Sequence, residues 1–330
     1  MRIFATKFDS SVALAALLTA CAGNSQNAST IFPNSAAPNP AVHNYSADVL
    51  SSVREAAETR PLHVRIPRDL YVADNNVGID ILTNKSYQRI AIIKQYGFPC
   101  DDFLDANGNL YVPNCQVHDS YVDEYAPRKK TPSFTYDAGL QSGDRMTAVA
   151  VDVNGNVFVG TANGEVLMYR QRVNSVAASC TYPGQIAGLA VDSPGDVFTD
   201  AFSGSQSKLM LTTYDLTNCA YTQTLPVTLD TNASGIAEDN QFNLVVADGS
   251  QVLVIPDPYT SVKRTIGSGF RNASNVHLKR DDSLAFVTDS AAQTVTVVNY
   301  YTGADVIVLG TSNGIVSPNA AVDWPNDIVQ

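Results

Sequence analysis

Basic residues are scarce in this chain. Its 330 residues carry 21 Lys and Arg against 32 Asp and Glu, a net charge of -11. That balance excludes nucleic-acid binding, because phosphate contacts need a basic surface. Charge of either sign is thin, at 16% of residues, while 45% are apolar, so the chain can bury a large core. No apolar run reaches the about 20 residues of a helical membrane span. Five cysteines and four histidines are present, yet no C-x-x-C pair and no H-E-x-x-H string occurs, which leaves no zinc-finger or zincin framework. Neither a serine nucleophile elbow nor a phosphate-cradling loop is recognised.

What the chain does carry begins at its N-terminus. Arg2 and Lys7 precede the apolar run SVALAALLTA (Ser11–Ala20), too short to span a bilayer but suited to the core of a secretory signal. The run ends Leu18-Thr19-Ala20-Cys21, which resembles the lipobox of bacterial lipoproteins. The resemblance implies a signal peptide at residues 1–20, an acylated Cys21, and attachment to the membrane through the lipid anchor only. Several acyl chains make a stable anchor, at roughly 0.8 kcal/mol per buried CH₂. The implied address is the bacterial cell envelope, and Ala22 after Cys21 is compatible with outer-membrane sorting. Residues 21–60 are rich in Asn, Ser, Ala and Pro and read as a flexible tether, with room for a short helix over Ser46–Glu58 capped by Ser46.

From residue 61 to 330 the chain repeats itself. LYVAD (70–74), LYVPN (110–114), VFVGT (157–161), VFTDA (197–201), LVVAD (244–248) and AFVTD (285–289) align on Tyr71, Tyr111, Phe158, Phe198, Val245 and Phe286. The intervals are 40, 47, 40, 47 and 41, the size of one four-stranded propeller blade. Six positions before the anchor stands an acid, Asp105, Asp152, Asp192 or Asp239, with Arg280 as the exception. Asn107-Gly108 and Asn154-Gly155 between strands are hairpin signals. The first unit opens at Leu70 without its upstream strand, and PNAAVDWP (318–325) supplies that strand, with Asp323 in the acid position. The expectation is an all-β, six-bladed propeller of four-stranded antiparallel blades, with residues 318–325 completing blade one and closing the ring. A monomer is expected.

"VAVDVNGNVFVGTANGEVLMY" and "LYVADNN…IDIL" resemble NHL repeats, found in the superfamily of streptogramin lyases and gluconolactonase-type propellers. The likeness runs from about residue 69 to 325. Blade six also resembles the surface-layer YVTN propellers. The superfamily implies two sites. Gluconolactonase-type propellers hold a divalent metal with a Glu, an Asn and an Asp converging on the channel, for which Asn319, Asn275, Asp101 and Asp102 are the rim candidates here. Streptogramin lyases use a His with a Glu on inner strands. His277, in NVHLKRD, lies on an inner strand without a nearby Glu, which reads as a hydrogen-bonded core residue.

Five of the six second strands end in an acid or amide at one rim: Asp74, Asn114, Asp200, Asp248 and Asp289. Such a ring of oxygens suits Ca²⁺ or a polar ligand, and the same residues are ordinary turn formers. Two function classes follow. One is a membrane-anchored binding or scaffold propeller offering its rim to a protein, peptide or glycan. The other is a metal-dependent lactonase- or lyase-like enzyme with its site in the channel. With no catalytic set assembled by spacing, the binding module is the preferred reading.

The four cysteines that remain after Cys21 suit disulfides in an exported chain. If Asn107-Gly108 form a two-residue type I′ turn, opposed residues sum to 215 and Cys100 faces Cys115, which predicts a bridge. Cys180 and Cys219 are the remaining pair, on outer strands of adjacent blades.

Overall fold

The computed structural model describes residues 69–323, apart from 95–96, 117, 119, 141–142, 193–195, 204–205, 213–222 and 231–232. The signal segment, Cys21 and the tether lie outside the described residues. Within them, six antiparallel sheets of four strands make six blades.

Blade one consists of β1 (Asp69–Asp74), β2 (Gly78–Thr83), β3 (Arg89–Ile93) and the C-terminal β24 (Pro318–Asp323). Blade two runs from β4 (Phe103–Leu104) through β5 (Leu110–Asn114) and β6 (Tyr121–Tyr125) to β7 (Phe134–Tyr136). Blade three is β8 (Met146–Val151), β9 (Val157–Thr161), β10 (Glu165–Tyr169) and β11 (Val176–Thr181). In blade four come β12 (Gln185–Val191), β13 (Val197–Ser203), β14 (Gln206–Thr212) and β15 (Gln223–Thr224). Blade five holds β16 (Ala233–Glu238), β17 (Leu244–Asp248), β18 (Gln251–Ile255) and β19 (Arg264–Ile266). Blade six ends the series with β20 (Ala273–Leu278), β21 (Leu284–Asp289), β22 (Thr294–Asn299) and β23 (Asp305–Leu309).

The ring closes as the repeat demands. β24 pairs with β1 through Leu70↔Asp323, Tyr71↔Val322, Val72↔Ala321 and Ala73↔Ala320. Second strands are buried on both faces, β1, β5, β9 and β17 along their whole length, because each blade is stacked on two neighbours. This is why they read as continuous apolar runs. The anchors fill the wedges: Phe286 packs with Leu70 and Ala321 between blades six and one, and Phe198 with Leu244 and Tyr259 between four and five. Outer strands face water, so β11 alternates and β23 is mostly exposed.

The acid row holds the first hairpins. In DANGN, Asp105 Oδ1 accepts the N–H of Asn107 and Asn109, and Oδ2 accepts Asn109 Nδ2. Asp152 does the same with Asn154 and Asn156, and Asp239 with Gln241 and Asn243. Asp323 does not belong to this row. It pairs with Leu70, the place Val151 takes opposite Val157, one residue short of the acid; β24 and β1 are not consecutive in the chain, so no hairpin joins them for an acid to hold.

The hairpin type also differs from the sequence expectation. Gly108 N–H bonds Asp105 O, and Asp105 N–H bonds Asn109 O, while Gly108 has φ +80°. This is a three-residue loop, a type I turn followed by a left-handed residue. Register becomes Phe103↔Tyr111 and Leu104↔Leu110, a sum of 214 instead of 215. Cys100 and Cys115 are nevertheless bridged, with Cα atoms 5.9 Å apart. Nearer the bridge Pro99 pairs with Asn114, a further one-residue shift that sets the two cysteines diagonally. Closing a loop of separation 15 contributes about 3 kcal/mol in the chain-entropy model. Cys180 is also disulfide-bonded, and Cys219 lies outside the described residues.

Truncation before Pro318 leaves β1 without its inner neighbour and both ring edges open. The expected outcome is loss of the cooperative thermal transition by circular dichroism. A truncated chain that still melts cooperatively contradicts the closure as the determinant of folding.

Candidate functional site

Four of the five rim residues singled out by sequence, Asp74, Asn114, Asp248 and Asp289, spend their oxygens on the loops that join blades. Asp74 Oδ2 accepts the N–H of Val316 and Ser317, at 2.6 and 3.1 Å, just ahead of β24. Asp289 accepts Arg271 and Asn272 N–H ahead of β20, and Asp248 accepts Asp230 N–H ahead of β16. Asn114 Oδ1 takes the Phe98 N–H at 3.0 Å. Each ties the loop entering its own blade to the end of the second strand. Asp200 is fully buried, and burial pushes its carboxyl up to about 8, with the Ser207 hydroxyl opposing.

The channel wall holds a different group. Where the inner strands of other blades carry Ala148 and Gly188, opposite Gly160 and Asp200, blade two brings Asp101 and Asp102 just ahead of its short β4. Blade six contributes Asn275 and His277 from β20. Asn275 Nδ2 donates to Asp101 Oδ1 at 2.8 Å, the Asp102 N–H donates to the same oxygen at 3.0 Å, and Val149 N–H donates to Oδ2 at 2.9 Å. His277 Nε2 lies 3.4 Å from Asp101 Oδ1 and 3.7 Å from Asp102 Oδ1.

Asp102 is fully buried, with the Ala73 N–H and, 3.7 Å from its Oδ1, the His277 Nε2 as its polar neighbours. Asn275 Oδ1 is unpartnered. Burial pushes the Asp102 carboxyl up to about 8, with His277 opposing and Asp101 adding to the rise. For His277, burial works against the charged form, but the hydrogen bond and charge of Asp101, with Asp102, hold it above the usual imidazole value. At Gly188 and Gly235 the wall is backbone alone. A Cβ on Gly188 would stand 2.7 Å from Gly235 N, and one on Gly235 2.6 Å from Asn275 Cα.

Sequence reading reached Asp101, Asp102 and Asn275 through the gluconolactonase-type resemblance, and the structure gathers them. Asn319 is not among them: its Nδ2 bonds Asn75 Oδ1 and Pro99 O on the rim. His277 is the hydrogen-bonded core residue expected, but its acids come from blade two, 176 residues away in the chain, where no local spacing reveals them. With a His and no Glu in the cluster, it departs from the gluconolactonase-type set. Sequence reading also passed over Gly310-Thr311-Ser312-Asn313-Gly314, which matches G-x-S-x-G. It forms a short 3₁₀ turn in which Ser312 Oγ bonds Asn313 Oδ1, without the strand-to-helix bend of a nucleophile elbow.

On the opposite rim a cleft of about 200 Å³ includes Lys263, Arg264, Tyr300 and Tyr301 in its lining. Two of its groups already have internal partners: Arg264 stacks 4.6 Å from the Tyr300 ring centre, and Tyr300 Oη donates to Asp239 at 2.7 Å.

No family model matches this chain, and no curated protein does. Among solved structures, a chain from the crystal structure of a nidogen/laminin complex is similar at TM-score 0.63 and 12% identity, covering 79% of this chain and 99% of that one. A protein of unknown function from Bacteroides caccae follows at TM-score 0.43 and 12% identity, over 75% and 74%. The propeller domain of Myceliophteria thermophila Cps50 (Swd1) gives TM-score 0.47 and 11% identity, over 62% and 65%. At such identities the likeness is one of fold. The chain is a six-bladed β-propeller.

Glu238, on β16 beside Asp192, Asp196, Asp239 and Asp282, gives a pH test. Burial, then those four acids, pushes its carboxyl from 4.5 up to about 9. The folded value lies above the unfolded one, so its contribution is full below pH 4.5 and lost as pH rises toward 9. Glu238→Gln, which cannot ionise, is expected to raise the melting temperature at about pH 8 and to leave it unchanged near pH 4. An equal effect at both pH values contradicts the assignment.

Proposed function

We propose that this chain is an exported, lipid-anchored propeller that binds a protein partner through the rim carrying its blade-to-blade loops. The observation that carries the reading is a pair of apolar side chains displayed there, Phe98 at 52% and Val316 at 42% exposed. Their backbones are fixed by Asn114 and Asp74, and Asn319 joins the two loops by bonding Pro99 O and Asn75. Gly97 seats the Phe98 loop on Asn114, since a Cβ there would lie 2.0 Å from Asn114 Oδ1. Anchors already ordered lose little freedom on binding, which favours affinity. The similar solved structure from a nidogen/laminin complex is a protein engaged with a protein, and it supports the same reading. Export is supported by the Cys100–Cys115 bridge, because disulfides persist in oxidising compartments, and the anchor by the lipobox-like Leu18–Cys21.

Placing photoreactive benzoylphenylalanine at position 98 of the full chain, in the producing cell, tests the rim. Irradiation is expected to give a protein adduct there and none from position 153 on the opposite rim, where Val153 is 65% exposed. Equal adducts at both positions, or none at 98, reject the rim. For the anchor, Cys21→Ser is expected to move the protein from the membrane to the soluble fraction with its circular dichroism unchanged. Retention in the membrane rejects lipidation.

A further inference from the structure

We infer that the cleft between blades five and six, on the rim opposite the blade-to-blade loops, binds a carboxylate-bearing sugar residue of an acidic glycan. Lys263 and Arg264 recognise its carboxylate, and the Tyr301 ring stacks against its face. The cleft lies away from the rim proposed to bind protein, so the two readings stand or fall separately.

The cleft, of about 200 Å³, is framed by strand ends of both blades. Lys263 and Arg264 stand where β19 begins; Lys263 N–H bonds Val254 O at 2.8 Å, and Arg264 pairs with Val254. Tyr300 and Tyr301 follow β22, with Tyr300 N–H on Ser283 O at 3.1 Å. Two observations meet here. The first is a pair of adjacent cations without a carboxylate. Among the described residues neither Lys263 nor Arg264 forms an ion pair, although Asp239 and Asp282 line the same cleft. Asp239 is already spent on Gln241 N–H, Asn243 N–H, Asn243 Nδ2 and Tyr300 Oη, and Asp282 Oδ2 accepts the Asn240 N–H. Arg264 is stacked on Tyr300, and a guanidinium held by its flat face keeps the N–H groups of its edge for a planar carboxylate.

The second observation is a large ring held in the open. Tyr301 is 64% exposed, yet its Oη donates to Asp281 O at 3.2 Å and its ring meets Tyr300 edge-on, with centroids 6.1 Å apart. A ring already fixed loses little freedom on stacking against a ligand. Size and charge then set the ligand class. The volume falls below the about 300 to 1,000 Å³ of pockets for drug-sized molecules, which suits a single sugar ring. Asp239 and Asp282, 6% and 8% exposed, stand beside the cations and oppose the second charge of a phosphate monoester, so a singly charged carboxylate fits. Gln241, exposed at the mouth, offers an amide donor and acceptor to hydroxyl groups.

The test is isothermal titration calorimetry on the full chain, with trigalacturonate, its methyl ester and an unblocked tripeptide as probes. The native sequence is compared with Lys263→Gln, Arg264→Gln, Tyr301→Ala and the exposed control Lys129→Gln. The native chain and the control are expected to bind trigalacturonate, and the ester about tenfold or more weakly. Each site variant is expected to lose about tenfold or more, as loss of a charge-assisted hydrogen bond or a stacking face requires. Lys263 and Tyr301 are exposed, so these two variants carry the test should Arg264→Gln fail to fold. No binding by the native chain, or binding unchanged in Lys263→Gln and Tyr301→Ala, overturns the site. Equal binding of the ester overturns the carboxylate. A tripeptide bound as tightly as trigalacturonate, with the same losses in the variants, overturns the sugar in favour of a peptide C-terminus.

Discussion

Everything in this molecule depends on one strand pairing, β24 against β1. It joins the last described residues to the first, and through it an open stack of blades becomes a ring. Without it, the Leu70–Asp74 strand presents bare N–H and C=O groups on its inner side, and blades six and one lose the shared core around Leu70, Phe286 and Ala321. Long-range pairing of this kind incurs its loop-closure cost before the contacts repay it. The repeats lower that barrier, because each blade can form most of its own sheet from local hairpins. Only blade one must wait for the end of the chain.

The ring then assigns work to residues by radius. Inner strands approach so closely that glycine faces glycine at 188 and 235, and second strands are buried on both faces. Outer strands keep exposed apolar residues such as Val306 and Val308. Along the blades two acidic positions recur in most units, one at each end of the second-strand hairpins. Asp105, Asp152 and Asp239 hold the turn at one end, while Asp74, Asp248 and Asp289 hold the incoming loop at the other. A carboxylate accepting several backbone N–H groups satisfies donors that a tight loop cannot pair within a ladder. Repetition of residue type thus follows from repetition of the loop.

This explains what could be read in the sequence and what could not. Blade number, strand order and closure were legible, since they follow from the 40-to-47-residue spacing of anchors such as Tyr71 and Phe286. The Cys100–Cys115 bridge was legible in outcome but not in register. Asn107-Gly108 signals a hairpin without saying whether Gly108 ends a three-residue loop, and the Pro99–Asn114 shift has no marker of its own. The rim residues stand at the ends of their second strands, yet their spacing could not reveal that the oxygens of Asp74, Asn114, Asp248 and Asp289 turn back onto loops. The channel cluster was the least legible part. Asn275 and His277 meet Asp101 and Asp102 only because blades two and six flank blade one, and adjacency created by ring closure leaves no trace in local sequence.

A closed propeller makes its channel a demanding place for polar side chains. The strands that line it are the most tightly packed, water has little access, and a charged group there is stabilised only by what stands opposite. In blades three to five the chain answers with Ala148, Gly188 and Gly235, which ask for nothing. Blade two does the reverse and sets two adjacent carboxylates there, one saturated by Asn275, Val149 and the Asp102 N–H, the other facing the Ala73 N–H and His277. An Asn at 102 would fill the same space without the buried charge, and an Ala would match the neighbouring blades. The chain carries an aspartate instead, 3.7 Å from the His277 imidazole; burial holds its carboxyl up at about 8, so the proton it keeps and the histidine opposite are what make the position tolerable.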